Sequence, residues 1–452
     1  MREIPRPRGV RQIVAAARGL TGDPCPTLDR LSAELGPTFA VPIGPVRMVV
    51  VGDPEHLTEL FAAPVDSFRW GHALNVLRFY VGDGSVIIAD GEEHRRRRSM
   101  VQPAFARRRL EQWAPMIVRE TDATIDNDLA SPREPIDLFP IGRRLVLRVV
   151  TTALFDRGLP ADAATFERLI EPAKIYLEQS AMRQLPHPLP ATRRARCRDA
   201  RQEIDGIIDA EIARRRGDVI PDNGDVLDML LADRDPATAP SDAEIRDQVV
   251  TLIAAGYDTT ASALAWTLLA AASRPDVWER LRTEADTVFA GDVGPRTQPA
   301  LVYARAVVHE SLRLYPPGVF GPRQAATDVT IGPYVIPKGS MILWSPYLAG
   351  RNARTWSDPL AFRPERHLDI SDEQAMAMRA AWVPFGRGAR QCVGFGLAEM
   401  ELVLMLARLA QRIDVDLVRE GMPKPYGMVV NRPTGGVLAS VRVSQPSAGA
   451  PR

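Results

Sequence analysis

The sequence predicts a mainly α fold with a small β subdomain, and three observations carry that expectation. Helical periodicity dominates from about residue 92 to about residue 314. Beyond Pro316-Pro317 the period changes to two over three short apolar runs, Val329–Ile331, Tyr334–Ile336 and Met341–Trp344. The regular strand–helix alternation of a doubly wound sheet is missing throughout.

Taken in order, residues 39–43 and 47–51 read as strands, and a helix starts at Pro54, where a proline fits the first turn. Residues 64–90 are rich in turns and aromatics, and a basic helix follows from about Glu92. Pro, Gly and Asp clusters break the helical pattern near 184–192 and 217–242. The stretch 249–273 is apolar on every side with one charge, long enough to span a bilayer. Its flanks, a capping box at Ser241-x-x-Glu244 and a stop at Pro275, instead suit the buried central helix of a large domain. A proline-rich meander over 359–384 leads to a glycine-rich loop and a last apolar helix, 395–413. The expected organisation is an N-terminal segment 1–35, one domain 36–443 and a disordered tail 444–452. Its β-rich parts are about 36–65 and 325–345, and its helical core about 92–315 and 394–413.

Of the 452 residues, 45% are hydrophobic and 25% charged, enough for a sizeable core. A net charge of +1 gives no bulk field toward nucleic acid or acidic lipid. Cys25, Cys197 and Cys392 are too few and too scattered for a disulfide framework, which fits a reducing cytosol. Residues 1–20 carry arginines throughout and lack the apolar run of a signal peptide, so a cytoplasmic protein without a membrane anchor is expected.

Cys392 is the most informative residue. Phe385-Gly386-Arg387-Gly388-Ala389-Arg390-Gln391-Cys392-Val393-Gly394 sets a thiol at the mouth of the last helix, with three glycines and an arginine at fixed distances. A thiolate binds metal where a thiol does not, and the free N–H groups and positive end of that helix favour the charged form. Glycines permit turns closed to other residues and bring the main chain near a flat cofactor. A buried thiolate on a rigid element suits haem iron, to which it donates electron density that favours O–O cleavage.

Three further constellations stand out. Ala255-Gly256-Tyr257-Asp258-Thr259-Thr260 lies mid-way along the apolar 249–273 helix. A carboxylate there needs a partner or a wet cavity, and threonine hydroxyls bonding back to the previous turn open a notch. Glu310 and Arg313 stand at i,i+3, and Arg366 is placed to complete a folding network with them. His94 and Arg98 share one helical face in His94-Arg95-Arg96-Arg97-Arg98. With Arg323 and Arg390 they are candidate partners for the two haem propionates. The outward Arg95, Arg96, Arg97 and Arg107 to Arg109 form a candidate docking face for an acidic electron carrier.

On these four motifs the chain resembles the cytochrome P450 superfamily over about 36–443, as a soluble bacterial haem-thiolate member. The resemblance implies a mostly helical P450 fold with haem b (iron protoporphyrin IX) between the central helix and the cysteine helix. It implies Cys392 as the metal ligand, Phe385 and Gly394 beside the cofactor, and Asp258 and Thr259 as the catalytic proton-delivery pair. Glu310, Arg313 and Arg366 become the structural triad. His367, where an aromatic often stands, is expected to loosen local packing.

The implied activity is a monooxygenase that inserts one atom of O2 into an apolar terpenoid, polyketide or fatty-acid-like molecule, as in secondary metabolism. No flavin or nicotinamide domain is recognisable, so electrons are expected from a separate ferredoxin and ferredoxin reductase. The rivals are a peroxide-driven or isomerising haem-thiolate enzyme, and a non-catalytic haem sensor; neither needs the acid–alcohol pair. Position in the family fold suggests Phe79, Ile87, Ala255, Val319, Phe320 and Val429 as the substrate pocket, small and aliphatic enough for an apolar ligand.

Overall fold

A computed structural model describes residues 2–444 apart from 45, 72–74, 131–133, 157, 159–160, 180–183, 185–188, 222–223, 234 and 236–237. The expected disordered tail beyond Ser444 and part of the 184–192 break thus lie outside the described residues, while the Ser444 N–H itself bonds the Arg412 carbonyl at 2.8 Å. The organising element is the helix Asp242–Ala272, whose 31 residues are buried on nearly every side from Ile245 to Ala271. Ser241 caps it by accepting the Glu244 N–H at 3.2 Å. The reciprocal half of the capping box does not form, because the Glu244 carboxylate turns to Arg96 and Arg97 of the basic helix. Packed against this central helix are Leu138–Leu154, Val302–Leu314 and the cysteine helix Phe395–Arg412.

The three short runs after Pro317 are strands with the expected bounds. One five-stranded sheet joins chain-distant parts in the order Thr38–Ile43, Val46–Val51, Met341–Trp344, Gly321–Ala325 and Phe68–Arg69. Thr38 faces Val51 in its antiparallel edge pair, and Met48 faces Met341 in its parallel pair. The segment before Gly36 forms two helices, Val10–Gly22 and Pro24–Leu35. Their apolar sides, Ala16, Leu20, Leu28 and Leu31, dock on Phe39, Val41 and Val50 of that sheet.

A three-stranded sheet, ordered Ile136–Asp137, Leu438–Val443 and Ile413–Leu417, was not announced by the patterning, nor was the helix Asp372–Ala381 inside the meander. Among the described residues no helix is long and apolar enough to cross a membrane.

Glu310, fully buried, is the hub that joins the Val302–Leu314 helix to the meander. Its two oxygens accept from Arg313 Nε and Nη2 at 2.8 Å each, from Arg366 Nε at 2.8 Å and from the Arg363 N–H at 2.9 Å. His367 Nε2 also reaches Glu310, at 3.0 Å. The expected loosening at His367 is therefore corrected: its ring tightens the network by supplying another partner to a buried carboxylate. Arg313 spends its remaining N–H groups on the carbonyls of Gly350, Pro359 and Ala361. Burial works against the Glu310 charge, yet Arg313 and His367 outweigh it and hold the carboxyl at about 2.

Candidate active site

Between the central helix and the cysteine helix lies a cavity of about 520 Å³. Phe385, Cys392, Val393 and Gly394 line one part of it, and Ala255, Gly256, Asp258 and Thr259 another. A shallower surface groove of about 680 Å³, lined by Arg280, Glu284 and Tyr303, shares no residue with it and holds none of the chemistry described above.

The cysteine loop is built as its composition suggests. Gly386 and Gly388 take φ of 65° and 69°, which L side chains rarely adopt. The Cys392 N–H bonds the Phe385 carbonyl at 2.9 Å, closing the loop. Gly394 differs from expectation: its φ is −85°, and its use is to start the helix and leave space beside the sulfur. Cys392 is enclosed by protein yet accessible, because its open side is the cavity. Burial pushes the thiol up, and the Gly394 N–H and Arg98 offset this only partly. The protein groups around the sulfur therefore do not by themselves favour the thiolate.

In the central helix, Thr259 Oγ1 donates to the Ala255 carbonyl at 2.6 Å, the back-bond expected of the notch. At Gly256 a Cβ would press on Val150 Cγ2 at 3.3 Å, so glycine lets the neighbouring helix close in. Asp258 Oδ2 accepts from Arg432 Nη2, and Arg432 Nη1 holds Glu178 Oε1 at 3.1 Å. Ser262 and Trp266 anchor the Asn431 carbonyl, which fixes Arg432 over the helix.

At the rim, Arg98 Nη1 donates to the Gln391 carbonyl at 2.8 Å, tying the basic helix Gly91–Val101 to the cysteine loop. Arg390 lies over the Trp70 ring at 4.1 Å and bonds Ala89 O and Asp90.

A family model described as "Cytochrome P450" matches residues 14–438. The chain belongs to the cytochrome P450 family. This P450 is 32% identical over 391 residues to a Mycobacterium tuberculosis protein that carries the name cytochrome P450 139, covering 85% of this chain and 90% of the relative. It is 33% identical over 387 residues to the cyclooctat-9-en-7-ol 5-monooxygenase of Streptomyces melanosporofaciens, covering 83% and 82%. In fold it is similar to the cytochrome P450DA heme domain, with TM-score 0.85, 23% identity and 98% of both chains covered. It is also similar to a retinoic acid-bound cyanobacterial CYP120A1, at 0.81 and 24%, over 92% of this chain and 94% of that one. The protein is a cytochrome P450 monooxygenase, and the family's cofactor is haem.

The residues of this P450 fit that group. Burial pulls His94 down to about 3, with Arg390 and Arg98 adding to the effect. Burial likewise lowers Arg98, and takes Arg390 down to about 10. A cluster whose positive charge is so disfavoured suits an anionic ligand. Arg390 Nε is also buried with no hydrogen-bond partner, a donor matched to a carboxylate. Arg323 stands off the cavity lining; burial takes it down to about 9, with the nearby Arg390 adding to the effect. It donates to Leu60 O at 3.4 Å and packs against the rings of Phe61, Phe68 and Trp70.

Of the expected substrate residues, Ile87, Ala255 and Val429 line the cavity. Phe79, Val319 and Phe320 do not. Phe79 lies 5.3 Å from Tyr176, under the Arg194 guanidinium, while Val319 and Phe320 pack into the core around the N-terminal helices. The expected basic docking face is also taken up in part. Arg96 and Arg97 pair with Glu93 and Glu244, Arg107 pairs with Glu111, and Arg109 donates to the Gly224 carbonyl. Trp70, Lys174, Glu178 and Arg432 line the cavity without having been expected there. No local pattern marks them; each gains its place by long-range packing.

Proposed function

We propose that this P450 inserts one oxygen atom of O2 into an apolar small molecule of terpenoid, polyketide or fatty-acyl type, with haem b bound through Cys392. Electrons come from a separate ferredoxin and its reductase, in the bacterial cytoplasm. The observation that carries this reading is the acid–alcohol pair, Asp258 and Thr259, lining the same cavity as the Cys392 thiol. A terpenoid is favoured among the substrates, because the monooxygenase relative is named for oxidising cyclooctat-9-en-7-ol.

Bound to the Cys392 thiolate, haem supplies reductive O2 activation and oxygen transfer. Arg98 and Arg390 would neutralise its carboxylates, with the uncharged His94 ring as a hydrogen-bond donor and Arg323 behind them. Thr259 Oγ1 donates to Ala255 O, so its lone pairs are left to receive a proton-bearing water from the cavity. Asp258 takes protons in turn and passes them to that water, while Arg432 holds its carboxylate in place. Val86, Ile87, Leu177 and Leu252 present an apolar surface that excludes bulk water and orients a hydrocarbon.

The test is Thr259→Ala, assayed with a generic ferredoxin–reductase pair and a terpenoid that shifts the spin state. The variant is expected to consume reductant and release peroxide in place of product. Wild-type coupling in that variant would overturn the proton role. Turnover driven by peroxide alone, with no response to reductant, would favour the peroxide-driven alternative.

A further inference from the structure

Two non-helical stretches wall the cavity, and they are held in unlike ways. Tyr80, Val81 and Val86 line one side, and side chains from three helices stitch that segment down. From the central helix, Asp247 Oδ2 accepts from the Gly84 N–H at 2.8 Å and Gln248 Oε1 from the Val86 N–H at 3.1 Å. Thr251 Oγ1 bonds Ser85 Oγ at 2.7 Å. Arg97 of the basic helix donates to Asp83 O at 2.7 Å, and Arg201 of the helix Arg193–Arg216 donates to the Tyr80 carbonyl.

The other wall is the tip of a β-hairpin. Pro425 and Tyr426 pair with Pro433 and Arg432, the chain turns through 427–431, and Val429 and Val430 line the cavity. One end of the tip is pinned, since the Asn431 N–H bonds Pro317 O at 2.7 Å and its carbonyl accepts from Ser262 and Trp266. The other end is Gly427, whose φ of 105° is open to glycine and strained for L side chains. Between them one residue holds the tip down. Glu178, at the C-terminal end of the helix Ala163–Leu177, accepts from the N–H groups of Met428 at 2.9 Å, Val430 at 3.4 Å and Val429 at 3.5 Å. Successive backbone N–H groups make a cup for an anion, and here a side chain of a neighbouring helix fills it. Leu177 lines the cavity, while Ile175 and Tyr426 are 42% and 47% exposed, so the wall is thin at this seam.

Opening the 80–86 wall breaks bonds to three helices together. Opening the tip breaks the bonds of a single, partly exposed carboxylate, which water then solvates, and Gly427 takes up the backbone rotation. We propose that Glu178 is a latch: the substrate enters between the helix Ala163–Leu177 and the 427–431 tip, and Glu178 closes the tip behind it. Arg432 bridges Glu178 and Asp258, so the closed latch also steadies the cation that holds the catalytic acid. The inference deepens the monooxygenase reading and rests on it for the identity of what enters.

Two measurements on the full-length, haem-loaded protein test the latch. The first is stopped-flow binding of 4-phenylimidazole, an apolar probe whose ring nitrogen takes the iron. Glu178→Ala should raise its association and dissociation rates together, by about tenfold, with the Kd changed less than either. Glu178→Gln should fall between, because the amide oxygen still accepts an N–H but carries no charge toward Arg432. Gln248→Ala, which loosens the opposite wall, should stay within about twofold of wild type. The second measurement is hydrogen exchange on wild type, where the Met428 and Val430 amides should exchange faster than those of Gly84 and Val86.

Unchanged probe rates in Glu178→Ala overturn the proposal, as does equal acceleration in Gln248→Ala. Slower exchange at the tip than at Gly84 and Val86 overturns it too, and that order is read without any variant. Failure of wild type to give a nitrogen-ligated haem spectrum with the probe would sink the monooxygenase reading instead, while the exchange order would still report on the latch.

Discussion

Arg432 and Asp258, 174 positions apart in the chain, form a buried ion pair above the notch of the central helix. Burial works against the Arg432 charge, and Asp258 and Glu178 outweigh it. Removing the cation leaves the buried Asp258 carboxylate without its counter-charge, while Glu178, partly exposed, keeps the N–H groups of Met428 and Val430. Arg432→Met is therefore expected to cost about 3–5 kcal/mol in urea unfolding. Adding Asp258→Asn should return part of that loss, because the stranded charge goes with it. A cost near zero for the single variant would show that the pair does not hold the cavity together.

Glu310 makes a different prediction, about pH. Its folded value of about 2 lies below the ordinary 4.5, so the folded state binds its proton later than the unfolded chain does. The stabilisation is thus complete above about pH 4.5 and lost as pH falls through about 2. His367 adds to the acid loss, since burial lowers it from 6.5 and the unfolded chain takes its proton first. Glu310→Gln should destabilise the protein by roughly 3–5 kcal/mol near neutral pH, by leaving a buried arginine without its counter-charge. It should also flatten the acid limb of the stability–pH curve. Parallel limbs for variant and wild type would exclude Glu310 as the titrating group.

How far the sequence could be read depended on the range of the interaction. The loop 385–394, the central helix and the three strands after Pro317 are local patterns, and they fold as those patterns require. Glu310 and Arg313 share one helical turn, so their pairing is written in a three-residue spacing. Arg432 on Asp258 carries no such spacing, because only the packing of Ser262 and Trp266 against Asn431 sets it. The strand Leu438–Val443 went unseen for a similar reason: alternate residues Ala439 and Val441 are buried, but its partners come from distant segments. Val319 and Phe320 show the reverse error. Apolar and near the expected cavity in chain order, they are drawn to the core beneath the N-terminal helices.

Gly321 supplies a test of the cavity wall. A Cβ there would overlap the indole of Trp344, which lines the cavity and packs edge-on to Phe61 at 5.3 Å. Gly321→Ala must push that ring aside, at an overpacking cost of about 1–3 kcal/mol. The expected result is lower stability together with altered tryptophan fluorescence and haem absorption. Loss of stability with both spectra unchanged would mean the strain is relieved away from the cavity.

Cys392→Ser separates the role of the sulfur from the role of the loop. The Cys392 N–H bond to Phe385 O and the positive φ of Gly386 and Gly388 are backbone features, and serine keeps all of them. The helix behind still begins at Phe395. The apoprotein should therefore change stability by no more than about 1 kcal/mol, the range of mild substitutions. What serine cannot supply is a soft anionic ligand: an alcohol holds its proton far more tightly than a thiol, so metal binding does not readily ionise it. The haem-loaded variant is expected to lose the thiolate-type carbon monoxide spectrum and product formation, while circular dichroism and the apoprotein melting curve stay close to wild type. A thiolate-type spectrum in the serine variant would assign the metal bond to another residue, and among the described cavity-lining residues no second cysteine is available to take it.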